Sequence, residues 1–321
     1  MTPNVFGIEA RAVAKPVTIE FRPEQGAIFD LSNRVKLRIT GADRLRYLNG
    51  QITNDLRKAT ASLAIRACVL NAKGKINADI FVVADTESFF VDSESEMREQ
   101  LAARLERYVI ADDVQIEDIT DEFALLHVIG GETSLWPAEG RVAQAERFGC
   151  AGTDIWLSRS GHGAALQILA ARLPVCDENC AETLRIERGV PRWGRELTDE
   201  IIPTEANLEA NAIDYGKGCY IGQEVISRIK MSGQTNKRLC GFVLVAPMPL
   251  SAGMRLVTTT GEAKDVGWIT SVTDSSRLAK RVALGFVKRG FQEPGTRLEA
   301  RPVEGSTLSP ALVEITPLPF W

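Results

Sequence analysis

Histidine is almost missing from this chain: there are two in 321 residues, His127 and His162. So few leave little material for a histidine-rich metal site or a serine–histidine–aspartate triad. His127 lies in an apolar run and reads as a satisfied core residue. Basic residues are not in excess either. The 38 Lys and Arg against 42 Asp and Glu leave a net charge of −4, so a nucleic-acid partner, which needs a phosphate-neutralising surface, is not expected. No apolar run approaches the roughly 20 residues that cross a bilayer, and no membrane partner is expected. The opening MTPNVFGIEARAVAKP lacks a basic region followed by an apolar segment, so no secretory leader is expected. Six cysteines (Cys68, Cys150, Cys176, Cys180, Cys219, Cys240) are too sparse for a disulfide framework and read as reduced thiols in the cytoplasm. Cys176 and Cys180 have no second pair to complete a zinc site, so no metal is expected. Gly161 and Gly163 lack the third glycine of a dinucleotide fingerprint, which argues against nicotinamide.

What remains is an ordinary globular composition, 45% hydrophobic and 25% charged, long enough for two or three domains. The fold class reads as α+β. Arg34–Thr40 alternates with period two, as a half-buried strand does, and Gly41-Ala42-Asp43 opens a short helix through Tyr47 and Leu48. Apolar runs at 64–70 and 79–84 flank Asn71-Ala72-Lys73-Gly74-Lys75, a strand–turn–strand pattern. Ser93 and Glu96 have capping-box spacing ahead of Met97, Leu101, Leu105 and Tyr108, which predicts a helix. Strands are expected at Phe123–Ile129 and Ile155–Leu157, and helices at Ala164–Leu173 and Glu178–Arg188. From Lys237 onward, short β-like runs at 239–245, 254–259, 266–272, 282–287 and 311–316 predict a small barrel or sandwich. The domains are placed at 1–120, 121–236 and 237–321. No dimer seam is evident, and a monomer is expected.

Three stretches concentrate polar groups. In Lys217-Gly218-Cys219-Tyr220-Ile221-Gly222-Gln223-Glu224, glycines flank a cysteine two residues after a lysine, a setting in which an ammonium favours the thiolate. Thr183–Pro191 places Glu187 near a helix end, where a carboxylate suits the paired donors of an aminopyrimidine, though a solvated helix charge explains it equally well. Around Asp43, Asn49, Gln51, Asn54 and Asp55 the polar groups suit a loop over a ligand, or a capped turn.

In series these stretches resemble one family. KGCYIGQE resembles the signature of the YgfZ folate-binding proteins, which include mitochondrial iron–sulfur assembly factors and are similar to the T-protein (aminomethyltransferase) of the glycine cleavage system. YLNGQITND, LNAKGK, LRIERGVP, IPTEANL and Asn236-Lys237-Arg238 add weaker matches across nearly the whole chain from about residue 26. The resemblance implies two α/β domains and a C-terminal β-barrel around a central channel for tetrahydrofolate. Glu187 would then hold the pterin, and Arg228 with Lys237 or Arg238 would face the glutamate tail. Asn207 and Gln223 would line the wall, and Cys219 would be the functional thiol with Lys217 beside it. T-proteins carry an Asp-Asp pair where this chain has Ala78-Asp79. If the lost carboxylate is the group that handles the proton, ordinary aminomethyl transfer is crippled and a repurposed folate site is favoured. A true aminomethyltransferase would need Asp79 alone to suffice as proton acceptor. The resemblance therefore implies a folate-dependent accessory factor for iron–sulfur proteins, including tRNA-methylthiolating enzymes as clients. The alternatives are a true aminomethyltransferase or demethylase, and a folate-binding regulator without thiol chemistry.

Overall fold

A computed structural model describes residues 25–131 and 140–321; the opening segment read for a secretory leader lies outside the described residues. The chain runs β1 (Ala27–Asp30), β2 (Val35–Thr40), α1 (Arg44–Gln51), β3 (Ile65–Leu70), β4 (Ile76–Ala84), β5 (Phe89–Ser93), α2 (Arg98–Glu106) and β6 (Gln115–Asp118). Next come β7 (Phe123–Ile129), β8 (Arg141–Ala145), β9 (Gly152–Ser158), α3 (His162–Ala170), β10 (Val175–Cys176) and α4 (Glu178–Glu187). After α5 (Glu209–Ala212) and α6 (Gln223–Ser232), the strands β11 (Lys237–Leu244), β12 (Arg255–Thr258), β13 (Asp265–Ser275), β14 (Lys280–Lys288), β15 (Arg297–Arg301) and β16 (Ala311–Thr316) complete it.

Strand periodicity positions the centre of the molecule. The first sheet, β3-β4-β5-β2-β6, is antiparallel throughout. Ile65, Ala67 and Val69 of β3 and Ala78, Ile80 and Val82 of β4 pack on one face with Leu48 of α1 and Leu101 and Leu105 of α2. Successive side chains of a strand point to opposite faces, so Arg66, Cys68, Asp79 and Phe81 are turned the other way, toward the rest of the molecule. The second sheet, β10-β1-β7-β9-β8, stacks on this side through Val83, Phe90, Leu125, Ala143 and Trp156. Its other face is covered by Ala165 and Leu169 of α3.

The six C-terminal strands close into an antiparallel barrel, β11-β14-β13-β12-β15-β16, which removes free sheet edges. Its outer residues Leu239, Val282, Leu284 and Phe286 join Leu70 and Ile76 of the first sheet and Ile186 of α4 in one buried cluster. Three bodies thus meet at the centre.

Several elements differ from the sequence reading. Ser93 caps nothing: it ends β5, and its Oγ donates to the Asp79 carbonyl at 2.8 Å. The helix instead begins with a 3₁₀ turn at Ser95–Met97, although Met97, Leu101 and Leu105 are buried as expected. The strand β1 was not expected. It belongs to the second sheet, antiparallel to β7 and parallel to β10, so residues 27–30 leave the sheet of their own neighbours. The expectation that all cysteines are reduced also fails. Cys176 and Cys180 form a disulfide, with Cα atoms 5.5 Å apart, while Cys68, Cys150, Cys219 and Cys240 are free.

Two glycine motifs far apart in sequence prove to be one contact. Gly74, with φ +74°, closes the β3–β4 turn, where Asn71 Oδ1 accepts from the Lys73 and Lys75 amides at 2.9 and 3.1 Å. A Cβ on Gly74 would lie 2.8 Å from Val225 Cβ in α6. A Cβ on Gly222, φ +85°, would lie 2.7 Å from the Asn71 carbonyl. The LNAKGK turn and the KGCYIGQE loop pack this closely because neither glycine has a side chain.

Candidate functional site: a two-chambered cleft

Two cavities open near the centre, the first between the two sheet bodies and α4, the second against the barrel. The first, about 220 Å³, is lined by Arg66, Asp79 and Phe81 of the first sheet, Arg147 and Phe148 of the second, and Glu182 of α4. The second, about 470 Å³, lies between the α4–α5 segment and the barrel, with Arg188, Asn207, Arg238 and Gln292 in its wall. Arg66, Val190 and Pro191 line both, so the two chambers share a wall.

Their charges differ. The first carries Asp30, Asp79, Glu94, Asp177, Glu178 and Glu182 alongside five arginines. The second has Arg66, Arg188 and Arg238 in its lining and no carboxylate side chain. Asp79 is held by Arg66 in a bidentate pair, Nε to Oδ1 at 2.9 Å and Nη2 to Oδ2 at 2.8 Å. The same guanidinium donates to the Pro191 carbonyl at 3.2 Å. Arg192 reaches across the first chamber more loosely, at 3.2 Å from Glu182, 3.6 Å from Glu178 and 4.0 Å from Glu94.

Behind the first chamber a buried ion network joins the two sheets. Arg147 donates to both oxygens of Asp92 at 2.9 and 2.6 Å and to both of Asp154 at 2.8 and 2.7 Å. Arg34 adds a 2.5 Å bond to Asp92 and pairs with Glu94. His127 Nδ1 lies 2.8 Å from Asp154 Oδ1, whereas Nε2 has no partner among the described residues. Burial pushes the His127 pKa below its ordinary 6.5, and the Asp154 hydrogen bond only partly opposes this. Burial alone would raise the Asp154 carboxyl, but Arg147 and the His127 hydrogen bond outweigh it and hold it at about 2. Asp92 is likewise held low by Arg147 and Arg34 against its desolvation.

These shifts share a sign: the unfolded chain binds protons that the folded chain refuses. Stability is therefore expected to fall as pH drops below 6.5, where unfolded histidine begins to protonate, and again below 3.8 as the aspartates follow. One such proton gives a slope of up to about 1.4 kcal/mol per pH unit. Urea unfolding at pH 7.5 and 5.5 checks the histidine part. His127→Asn should flatten the slope between them, and equal midpoints in the wild type would refute it.

The expected site residues scatter. Asp79 lines the first chamber, and Asn207 and Arg238 line the second, joined by a 2.6 Å bond from Arg238 Nε to Asn207 Oδ1. Glu187 lines neither chamber. Its carboxylate accepts from Ser275 Oγ at 2.5 Å and Trp321 Nε1 at 2.9 Å, pinning α4 to the barrel and the C-terminal segment. Arg228 is exposed on α6 and pairs with Glu224 at 2.6 Å, and Gln223 opens the same helix; both lie outside the chambers. Lys237 also lies outside them, 3.4 Å from Glu205 Oε2 and 5.7 Å from the Trp268 ring centre.

The Lys217 ammonium is committed to backbone carbonyls: it is buried and donates to those of Asn49, Ile52 and Asn54 at 2.6, 2.8 and 2.6 Å. Cys219 is exposed and lines neither chamber. Ala78 needs a correction too. Its side chain packs in the α1–α2 core, so a carboxylate at that position would point away from the cleft.

Arg66, Arg147, Asp92 and Glu182 were not singled out from sequence. For Arg66 and Asp92 the available signal was a single charge inside an apolar strand, as in Ile65-Arg66-Ala67-Cys68; Arg147 lies in the β8–β9 connection and Glu182 in α4, where no such pattern marks them.

Two α/β sheet bodies and a closed barrel around a chambered cleft define a multidomain architecture in which a ligand is enclosed between domains. The GCVT N-terminal domain matches residues 2–134, and the glycine cleavage T-protein C-terminal barrel domain matches residues 237–321. The chain belongs to this T-protein-like family. It is 26% identical over 304 residues to an aminomethyltransferase of Halalkalibacterium halodurans, covering 85% of this chain and 82% of that protein. It is 29% identical over 258 residues to the tRNA-modifying protein YgfZ of Yersinia pestis, covering 73% and 76%. It is 24% identical over 255 residues to the mitochondrial iron–sulfur cluster assembly factor IBA57 homolog of Dictyostelium discoideum, covering 68% and 62%. The crystal structure of the glycine cleavage system aminomethyltransferase T from Bartonella henselae superposes with a TM-score of 0.80 over 92% of this chain and 86% of that one, at 17% identity, which establishes the shared fold.

Proposed function

We propose that this chain binds tetrahydrofolate in the joined chambers and acts in the cytoplasm as an accessory factor for iron–sulfur proteins, with Cys219 as the thiol that meets a client. The observation that carries this reading is the separation of cleft and thiol: the chambers suit a folate, while the signature loop holds Cys219 outside them in solvent. The likeness to YgfZ and to the IBA57 homolog supports the iron–sulfur role.

The cleft residues fit the ligand's chemistry. A flat pteridine ring finds Phe29, Phe81 and Phe148 in the first chamber, and its aminopyrimidine donors would meet the remaining lone pairs of Asp79 and Glu182, which Arg66 and Arg185 already hold in bidentate pairs. The anionic glutamate tail would occupy the second chamber, whose lining holds Arg188, bonded to the Gly149 and Trp321 carbonyl oxygens, and Arg238, which also pairs with Glu209 at 3.4 Å. Folate would supply one-carbon chemistry or simply order the three bodies around it.

A second reading, aminomethyl transfer, is favoured by one observation. Because Ala78 faces the core, only Asp79 of the two positions faces the cleft, and the missing carboxylate removes nothing from it. The likeness to aminomethyltransferases supports it equally.

Calorimetric titration with tetrahydrofolate, paired with rescue of tRNA methylthiolation in a deletion strain, separates the readings. Wild type should bind and rescue, Cys219→Ala should bind without rescuing, and purified protein should release no one-carbon unit from an aminomethyl donor. Arg238→Ala should weaken folate about tenfold, or about 1.4 kcal/mol, and leave a tail-less tetrahydropterin unchanged. Turnover in the aminomethyl assay, with full rescue by Cys219→Ala, would reverse the choice.

A further inference from the structure

The disulfide between Cys176 and Cys180 joins residues only four apart in sequence, too short a loop to remove much entropy from the unfolded chain. Its placement in the cleft wall is more informative. Cys176 lines the first chamber together with Asp177, Glu178 and Glu182. It also ends β10, paired with Phe29 of β1, while Cys180 lies in the first turn of α4. Asp177 caps that turn, its Oδ1 accepting from the Cys180 amide at 2.8 Å. Both cysteines are packed with Phe29 and Phe148, whose ring centres are 4.4 Å apart and which line the same chamber.

We infer that Cys176 and Cys180 are a redox-responsive pair whose state sets the rigidity of this wall and, through it, the cleft's affinity for its ligand. Bonded sulfurs sit about 2 Å apart, and two thiols need considerably more room. In a close-packed cluster that extra separation is taken up by the neighbours, here β10, the first turn of α4 and the two phenylalanine rings. The oxidised wall is preorganised, and a preorganised site binds with a smaller ordering cost. Reduction by two equivalents of a monothiol cleaves the S–S bond, places two electrons and two protons on the cysteines and releases one molecule of the monothiol's disulfide. An oxidant such as diamide reverses it. Cys176 reaches the chamber, so a small thiol has a path to the bond.

The ligand-affinity half rests on the folate reading; the wall-rigidity half does not, and the experiment separates them. Full-length protein is oxidised with diamide or reduced with dithiothreitol, and the reagent is removed. Alkylation in denaturant should then count four thiols in the first state and six in the second. Hydrogen exchange without ligand should be about tenfold faster across residues 175–185 in the reduced protein, since local opening governs it. Cys180→Ser should show the fast exchange under both treatments. Binding of 5-formyltetrahydrofolate, which resists oxidation, should weaken about threefold on reduction in wild type and not respond in Cys180→Ser. Six alkylated thiols after diamide, or unchanged exchange across 175–185, would overturn the inference. Altered exchange with no folate binding in either state would uphold the pair's control of the wall and overturn the proposed ligand instead.

Discussion

Arg147→Met should destabilise the protein by about 3–5 kcal/mol, the cost typical of stranding buried charges when their partner is removed. Arg147 makes four hydrogen bonds to Asp92 and Asp154, and the two carboxylates are 1% and 0% exposed. Without the guanidinium, Asp92 keeps Arg34 and, among the described residues, Asp154 keeps only the His127 side chain, whose lowered pKa leaves it neutral. Asp154 is therefore the more exposed to the loss. The double variant Arg147→Met with Asp154→Asn should recover part of the stability, because the amide carries no charge to strand. Urea midpoints of the three proteins decide the matter. A loss below about 1 kcal/mol for the single variant would mean that water or Arg34 replaces the guanidinium. The cleft should register the change too, since Arg147 lies 4.2 Å from the centre of the Phe81 ring, which it orients in the first chamber.

The same network explains why much of the site was hidden in the sequence while much of the fold was not. The β3–β4 hairpin was legible because its alternation and its Asn71–Lys75 turn are both local, and each alone favours the observed conformation. The barrel was legible from the change to short β-like runs at Lys237, though β15 was not, since Arg297-Leu298-Glu299-Ala300-Arg301 has too few apolar residues to stand out. β1 had no local signal of comparable strength; it is a strand because β7 and β10 accept it. Arg66, Asp92 and Arg147 become partners only after two sheets stack, so Arg66 and Asp92 each look like a lone charge in an apolar run and Arg147 like a charge in a connection. The motif residues misled in the opposite direction. Glu187 and Lys217 attract notice as charges beside glycines, yet both are consumed by hydrogen bonds that hold the domains and the signature loop together. Ser93 likewise met the capping-box spacing while its hydroxyl was committed across the sheet.

Lys217→Met provides the sharpest test of that last distinction. The three carbonyls that Lys217 satisfies belong to the last turn of α1 and the segment after it, and two further bonds fasten the same junction, Asp214 N to Thr53 O at 3.0 Å and Ile221 N to Gly50 O at 3.3 Å. Burial pushes the ammonium's pKa down to about 8, with Asp55 and Asp214 opposing, so the fold holds a desolvated cation in order to brace this loop. A methionine fills similar space but donates nothing. Buried carbonyls left without donors cost about 1–3 kcal/mol each at most and are not additive, so a loss of about 3 kcal/mol is expected. Hydrogen exchange across residues 214–222 should rise by more than tenfold, and the variant should fail to rescue methylthiolation although Cys219 is intact. If Lys217 instead acted by activating the thiol, the variant would keep wild-type stability and slow exchange while losing function. On the proposed reading function depends on where the loop holds Cys219, with the lysine beside it as a brace, so a chain carrying the cysteine on a loosened loop should behave as Cys219→Ala does.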